Sequence, residues 1–148
     1  MSVSLPAVAA RAYAPPGQNR LLALLPAADR AAIMGHAKCH SFKHRDVLVY
    51  PHHPLEQVYF PTTAIGSALT IMAEGDAIET GTIGNEGFIG LQVVFGVDSV
   101  PGETICQVPG EALVLSAAVF RDLLGQYPAL QPLLLRYTQS FLNQSSQS

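Results

Sequence analysis

A glycine recurs at every third position of GTIGNEGFIG, residues 81–90: Gly81, Gly84, Gly87 and Gly90. Bare backbone at that density suits one kind of chemistry above others, a cradle of N–H groups around a phosphate or another anion. Helical structure through the run is excluded, because each interior glycine costs about 1 kcal/mol relative to alanine. A dinucleotide fingerprint is excluded as well, since the spacing is GxxGxxG and no strand–helix–strand unit surrounds it. Two readings stay open from the glycines themselves. One is a tight turn after a strand, a close backbone approach, and a short helix at FIGLQVVFG. The other is an anion cradle at the start of that helix.

The five histidines and two cysteines raise metal chemistry next. HAKCHSFKH holds His36, Cys39, His40 and His44, and PHHP holds His52 and His53. On a strand, His40 and His44 share one face while Cys39 takes the other, so the three diverge. The spacings match no zinc signature, and two separated cysteines do not hold an iron–sulfur cluster. HHPLE, with His52, His53 and Glu56, is the nearest approach to a cupin-like metalloenzyme, the rival from another functional class. It lacks the His-x-His alternation that turns two ligands inward from one strand. We therefore assign these histidines to solvated turns and expect no metal and no cofactor. Serine and histidine show no nucleophile elbow, so no catalytic residue is assigned and no enzyme is expected. Cys39 and Cys106 read as reduced thiols, in keeping with a cytoplasmic protein.

The formal net charge of −3 conceals an asymmetry. Between Arg45 and Arg121 there is no Lys or Arg. Nine of the eleven carboxylates fall in that span: Asp46, Glu56, Glu74, Asp76, Glu79, Glu86, Asp98, Glu103 and Glu111. Nine negative groups against no cation disfavour direct nucleic-acid binding there, because phosphate contacts need clustered Lys and Arg. No window approaches the roughly 18 apolar residues of a membrane-spanning helix. The opening MSVSLPAVAARAYAPPG reads as a flexible arm over residues 1–17, without the basic leader of a secretion signal.

The elements that must position these groups follow from period and punctuation. A chain of 148 residues, 49% hydrophobic, can bury one core. Leu21, Leu22, Leu24 and Leu25 precede Pro26, and residues 27–36 continue with helical spacing, so two short helices or one broken at Pro26 are expected. From about residue 38 to residue 116 the chain reads as β. DVLVY, QVYFP, SALTIM, AIETGTI, ETICQV and ALVLS are short strands rich in Val, Ile, Thr and Tyr, separated by turn signals. VPGE occurs at residues 100–103 and again at 108–111, two similar turns around one strand. Strands at this spacing predict a mainly β double-stranded β-helix or jelly roll. SAAVFRDLLGQY is a helix capped by Ser116 that stops near Gly125. PALQPLLLRYTQSFLNQSSQS is a second, beginning at Pro128, with Leu130, Leu134, Tyr137 and Phe141 at heptad steps.

Together, the two short helices, the β region, the VPGE-bounded hairpin and the closing heptad helix resemble the sensor half of Crp/Fnr-family bacterial transcription regulators. The resemblance runs from about Gln18 to the end and is most specific at VYFPTTAIGS and GDAIETGTIGNEGFIGL. It implies a β-roll sensor domain over residues 18–127. It implies, too, that residues 128–148 begin a long helix that pairs in a homodimer. In the family that helix leads to a helix-turn-helix domain, which would be the only route to DNA and does not lie within this chain. Members that bind a cyclic nucleotide use a phosphate cassette, roughly Phe-Gly-Glu followed after a loop by Arg-Ser/Thr-Ala. Its glutamate takes the ribose hydroxyl and its arginine the cyclic phosphate. The matching positions here are Phe88, Ile89, Gly90, Leu91 and Gln92, then Glu103 and Thr104. Thr104 agrees with the pattern, the ribose carboxylate is missing, and Glu103 has the wrong sign.

Losing one partner of a buried charge-assisted contact costs about 2–5 kcal/mol, roughly thirty- to several-thousand-fold in affinity. A helix N-terminus offers an exposed anion only about 0.3–1 kcal/mol. The expected effector is therefore a small molecule other than cyclic AMP, neutral or cationic. The expected partner is a second copy, meeting in parallel through Leu134, Tyr137 and Phe141, with no membrane involved. A stand-alone sensor or interaction domain of the same fold, never touching DNA, is the alternative.

Overall fold

The computed structural model describes residues 18–147; the arm expected over residues 1–17 lies outside them. A 3-10 turn at Leu22–Leu24 and helix α1, Ala27–Met34, flank Pro26. The strands are β1 Lys38–Phe42, β2 Val47–Val49, β3 Gln57–Pro61, β4 Ile65–Ile71, β5 Ala77–Ile83, β6 Glu103–Val108 and β7 Gly110–Ser116. Helix α2, Leu91–Phe95, interrupts the strands after β5, and α3, Ala117–Gln126, and α4, Leu130–Gln147, close the chain. Among the described residues no helix is long and apolar enough to cross a membrane.

All pairings are antiparallel. One sheet has the order β1-β7-β3 and the other β2-β6-β4-β5, which is the expected jelly-roll type of fold. The QVYFP, AIETGTI and ETICQV strands occupy the expected residues. β1 is an addition: KCHSF has no apolar alternation and is mostly exposed, and it is a strand because β7 offers it a ladder from Lys38↔Val114 to Phe42↔Gly110. Another expectation is corrected. The VPGE-bounded strand and its successor do not form a hairpin, since β6 pairs with β2 and β4 while β7 pairs with β1 and β3. Pro109 lacks an N–H and breaks the ladder where the chain crosses between sheets.

Helix α3 starts as the sequence indicates, with the Ser116 Oγ accepting the Val119 N–H at 3.1 Å. It ends at Gln126, beside Gly125 as expected. The terminator is Pro128, which disfavours helical geometry in the residue before it; Tyr127 is extended, at φ −118° and ψ 95°. Helix α4 begins at Leu130 instead of Pro128, after a turn that the Leu130 N–H closes on the Tyr127 carbonyl at 3.0 Å.

The core is centred on three rings, Phe60, Phe88 and Phe120, each no more than 1% exposed. Their centroids lie 4.8, 5.9 and 5.2 Å apart. They join β3, the glycine-rich segment and α3. Burying a side chain of this size stabilises the fold by about 1.5–3 kcal/mol. The N-terminal turn is tied in by Asn19, only 2% exposed. Its Nδ2 donates to the Pro61 carbonyl at 2.8 Å and the Gly87 carbonyl at 3.0 Å. Its Oδ1 accepts from the Leu21 and Leu22 N–H groups at 2.9 and 3.0 Å.

Candidate functional site

The glycine-rich segment runs along the edge of β3 that β7 leaves unpaired. Ile89 exchanges both backbone hydrogen bonds with Tyr59, each 2.9 Å, and this bridge fixes the segment's depth. Gly90 then turns the chain into α2 at φ +131°, and a Cβ there would lie 2.7 Å from Val58 Cγ1. Both conditions demand glycine. Gly87 serves a close approach of a different kind: a Cβ there would lie 2.6 Å from Tyr137 Cζ. The ring of α4 thus rests directly on the segment's backbone.

A cavity of about 250 Å³ opens beside this contact, between β4–β6, α2 and α4. All seven cassette-equivalent residues, Phe88, Ile89, Gly90, Leu91, Gln92, Glu103 and Thr104, line it. So do Tyr137 and Phe141, which the heptad spacing had marked for a partner helix. A bulge in the β4–β5 ladder between Ala68 and Leu69 leaves Thr80 unpaired at the cavity wall, where its Oγ1 donates to the Ala68 carbonyl at 3.2 Å. Leu69, Thr80 and Val100 gave no sign of this role in the sequence, because the bulge and the loop that place them are tertiary features.

The cavity's electrostatics are one-sided. Among the described residues Glu103, half-buried, is the one charged residue lining it, and no Lys or Arg does. Helix α2 has five residues and no side-chain N-cap, so it aligns too few peptide dipoles to stand in for a cation. Polar groups are sparse: Gln92 and Thr104 are each 8% exposed, and Thr70 and Thr80 sit on the walls. The Tyr137 hydroxyl is buried without a hydrogen-bond partner. Its pKa is raised above the ordinary tyrosine value, by burial first and by the Glu86 carboxylate second. The Phe88 amide is near enough to oppose that shift but does not reach hydrogen-bonding geometry.

The residues expected at a dimer seam do not share one environment. Leu134 is fully buried within the chain and Tyr137 is 8% exposed, so neither offers free surface; Phe141 is half-buried. On α4 the exposed apolar side chains next to them are Leu135, at 42%, and Leu142, at 59%. The histidines stay apart. His44 Nδ1 lies 2.9 Å from the Gln107 carbonyl and His53 Nδ1 2.8 Å from that of Pro51. Among the described residues no three His, Cys, Asp or Glu side chains are grouped to hold a metal ion. Cys39 is exposed and Cys106 buried, and both are free thiols.

No family model and no curated protein matches the sequence. Solved structures do. The c-di-GMP-responsive global regulator CLP of Xanthomonas campestris matches with a TM-score of 0.71 at 14% identity, over 82% of this chain and 62% of that one. The N-terminal domain of a transcriptional regulator from Streptomyces coelicolor gives 0.63 at 18% identity, over 87% of this chain and 90% of that one. The Thermus thermophilus catabolite activator protein gives 0.63 at 11% identity, over 86% and 58%. The chain therefore spans less than two thirds of the Xanthomonas and Thermus regulators. At these identities the likeness is one of fold: the chain has the jelly-roll architecture of the cyclic-nucleotide-binding-type domains of Crp/Fnr-type regulators.

Proposed function

We infer that this chain is the effector-sensing and dimerising part of a Crp/Fnr-type transcription regulator, and that its effector is not a cyclic nucleotide held by the usual contacts. The observation that carries this reading is the cavity between the cassette segment and α4, with one carboxylate and no cation on its walls. A phosphate brought there would meet Glu103 where the family pattern needs an arginine. The same charge argument applies to c-di-GMP, to which the Xanthomonas relative responds and which carries two phosphates. At about 250 Å³ the cavity falls just below the usual range for drug-sized ligands, roughly 300–1,000 Å³, which favours a small, neutral or cationic molecule.

Residues 18–127 would be the sensor and residues 128–148 the beginning of the dimer helix, with DNA contacted by a domain outside these residues. Occupancy of the cavity would bear on Tyr137 and Phe141 and bias α4 between two orientations. Leu135 and the exposed edge of Phe141 supply apolar surface for a second copy, in place of the buried Leu134. Calorimetric titration with cyclic AMP, cyclic GMP and c-di-GMP tests the reading: no binding is expected, and micromolar affinity for any of them overturns it. Light scattering tests the dimer, and a strict monomer at high concentration counts against that part.

A further inference from the structure

The HHPLE segment, unused by the effector reading, forms one wall of a second cavity of about 410 Å³. Phe42, Tyr50, Tyr59 and His53 contribute four rings to it; among the described residues Glu56 is its one carboxylate, and no Lys or Arg lines it. Phe42 meets Tyr59 edge-on, with centroids 5.7 Å apart and planes at 78°. Tyr50 and His53 are related in the same way, at 6.1 Å and 63°. Ring pairs set at steep angles wall a space from several directions. Tyr59 is held rigidly, 6% exposed, with its hydroxyl donating to the Leu48 carbonyl at 2.9 Å. That hydroxyl's pKa is pushed up to about 12, by burial first and then by Tyr50 and Glu56, which both lie near it.

The chemistry of the walls selects among cations. Negative charge and ring faces attract a cation, and the absence of lining Lys or Arg leaves that attraction uncompensated. A primary ammonium has three N–H donors to satisfy. Two of the lining carbonyls are already engaged, Leu48 by Tyr59 and Glu56 by the Ala117 N–H at 2.9 Å. A fully methylated ammonium needs no acceptor and presents its charge through methyl groups that pack against aromatic faces. We propose that this cavity binds a small ligand through a quaternary ammonium group, held by Tyr50, Tyr59 and Phe42 with Glu56 as the counter-charge. The site shares only Val49 with the cavity beside α4 and does not depend on the effector reading.

The test uses choline and its neutral isostere, in which carbon replaces the nitrogen, titrated into the whole chain and followed by aromatic NMR shifts and calorimetry. Choline is expected to bind saturably and shift the Tyr50 and Tyr59 rings, with the isostere at least about fivefold weaker. Tyr50 is 58% exposed, so Tyr50→Leu leaves the fold intact. That variant should weaken choline about five- to thirtyfold, the factor expected of one cation–π contact. Glu56→Gln should weaken it too, while Leu91→Ala, in the other cavity, leaves it unchanged. Equal affinity for the isostere, tighter binding of methylammonium than of choline, or no saturable shift with choline would each overturn the proposal.

Discussion

Replacing Gly87 by alanine tests the close contact between its backbone and the Tyr137 ring. Gly87 does not have a positive φ. Were the space open, Gly87→Ala would therefore stabilise the fold by about 0.4–1 kcal/mol through the unfolded chain. The new Cβ would instead lie 2.6 Å from Tyr137 Cζ and 2.8 Å from Cε1. Ordinary carbon contacts are about 3.5–4.0 Å, so the ring must retreat by roughly 1 Å. Tyr137 is 8% exposed, with the Phe141 ring 6.1 Å along the helix, so its retreat disturbs a packed region. Overpacking of this kind costs about 1–3 kcal/mol. In a chain of 148 residues that lowers Tm by about 2–4 °C per kcal/mol. Urea unfolding of Gly87→Ala, Tyr137→Leu and the double variant closes a cycle. The alanine should be destabilising beside tyrosine and close to neutral beside leucine, a coupling of about 1–3 kcal/mol. Equal effects in both backgrounds, or a gain in stability beside tyrosine, would refute the contact.

Tyr137→Phe removes a buried hydroxyl that has no partner and should raise stability by about 1 kcal/mol in urea; a comparable loss would mean that the hydroxyl is bonded. Asn19→Ala deletes four hydrogen bonds and should cost about 2–4 kcal/mol in thermal unfolding, so a loss below about 0.5 kcal/mol would contradict the bonding described. Tyr59 has its pKa raised from 10.0 to about 12, so its contribution is complete below pH 10, where both states hold the proton, and is lost as pH rises to about 12. Alkaline titration should show about 2–3 kcal/mol disappearing over that window, with the slope reduced in Tyr59→Phe. Leu91→Glu combined with Glu103→Arg supplies both missing cassette charges and should raise cyclic AMP affinity at least about thirtyfold by calorimetry, whereas no gain would count against the charge argument.

The strands legible in the sequence are those whose side chains carry their own signal. QVYFP and ETICQV are rich in β-branched and aromatic residues, and β3 and β6 occupy those residues. KCHSF carries no such signal, because β1 owes its existence to β7 and buries almost nothing itself. The cassette positions were legible as a group through the family resemblance, and they do converge on one cavity. Tyr137 was legible only as a member of an apolar stripe. Heptad spacing says that it shares a face with Leu130 and Leu134, but not that this face meets Gly87 in the same chain. Asn19 was invisible for a related reason: a polar residue before a turn reads as solvated until its long-range acceptors at Pro61 and Gly87 are known.

That asparagine makes three distant places answer to one amide group. The turn at Leu21 and Leu22, the end of β3 and the backbone beneath Tyr137 cannot loosen separately while its hydrogen bonds stand. Opening the glycine segment at Gly87 removes one of the two acceptors of the Asn19 Nδ2 and so weakens the hold of its Oδ1 on the Leu21 and Leu22 N–H groups. Faster hydrogen exchange at these two amides would thus report that the segment beneath Tyr137 has opened.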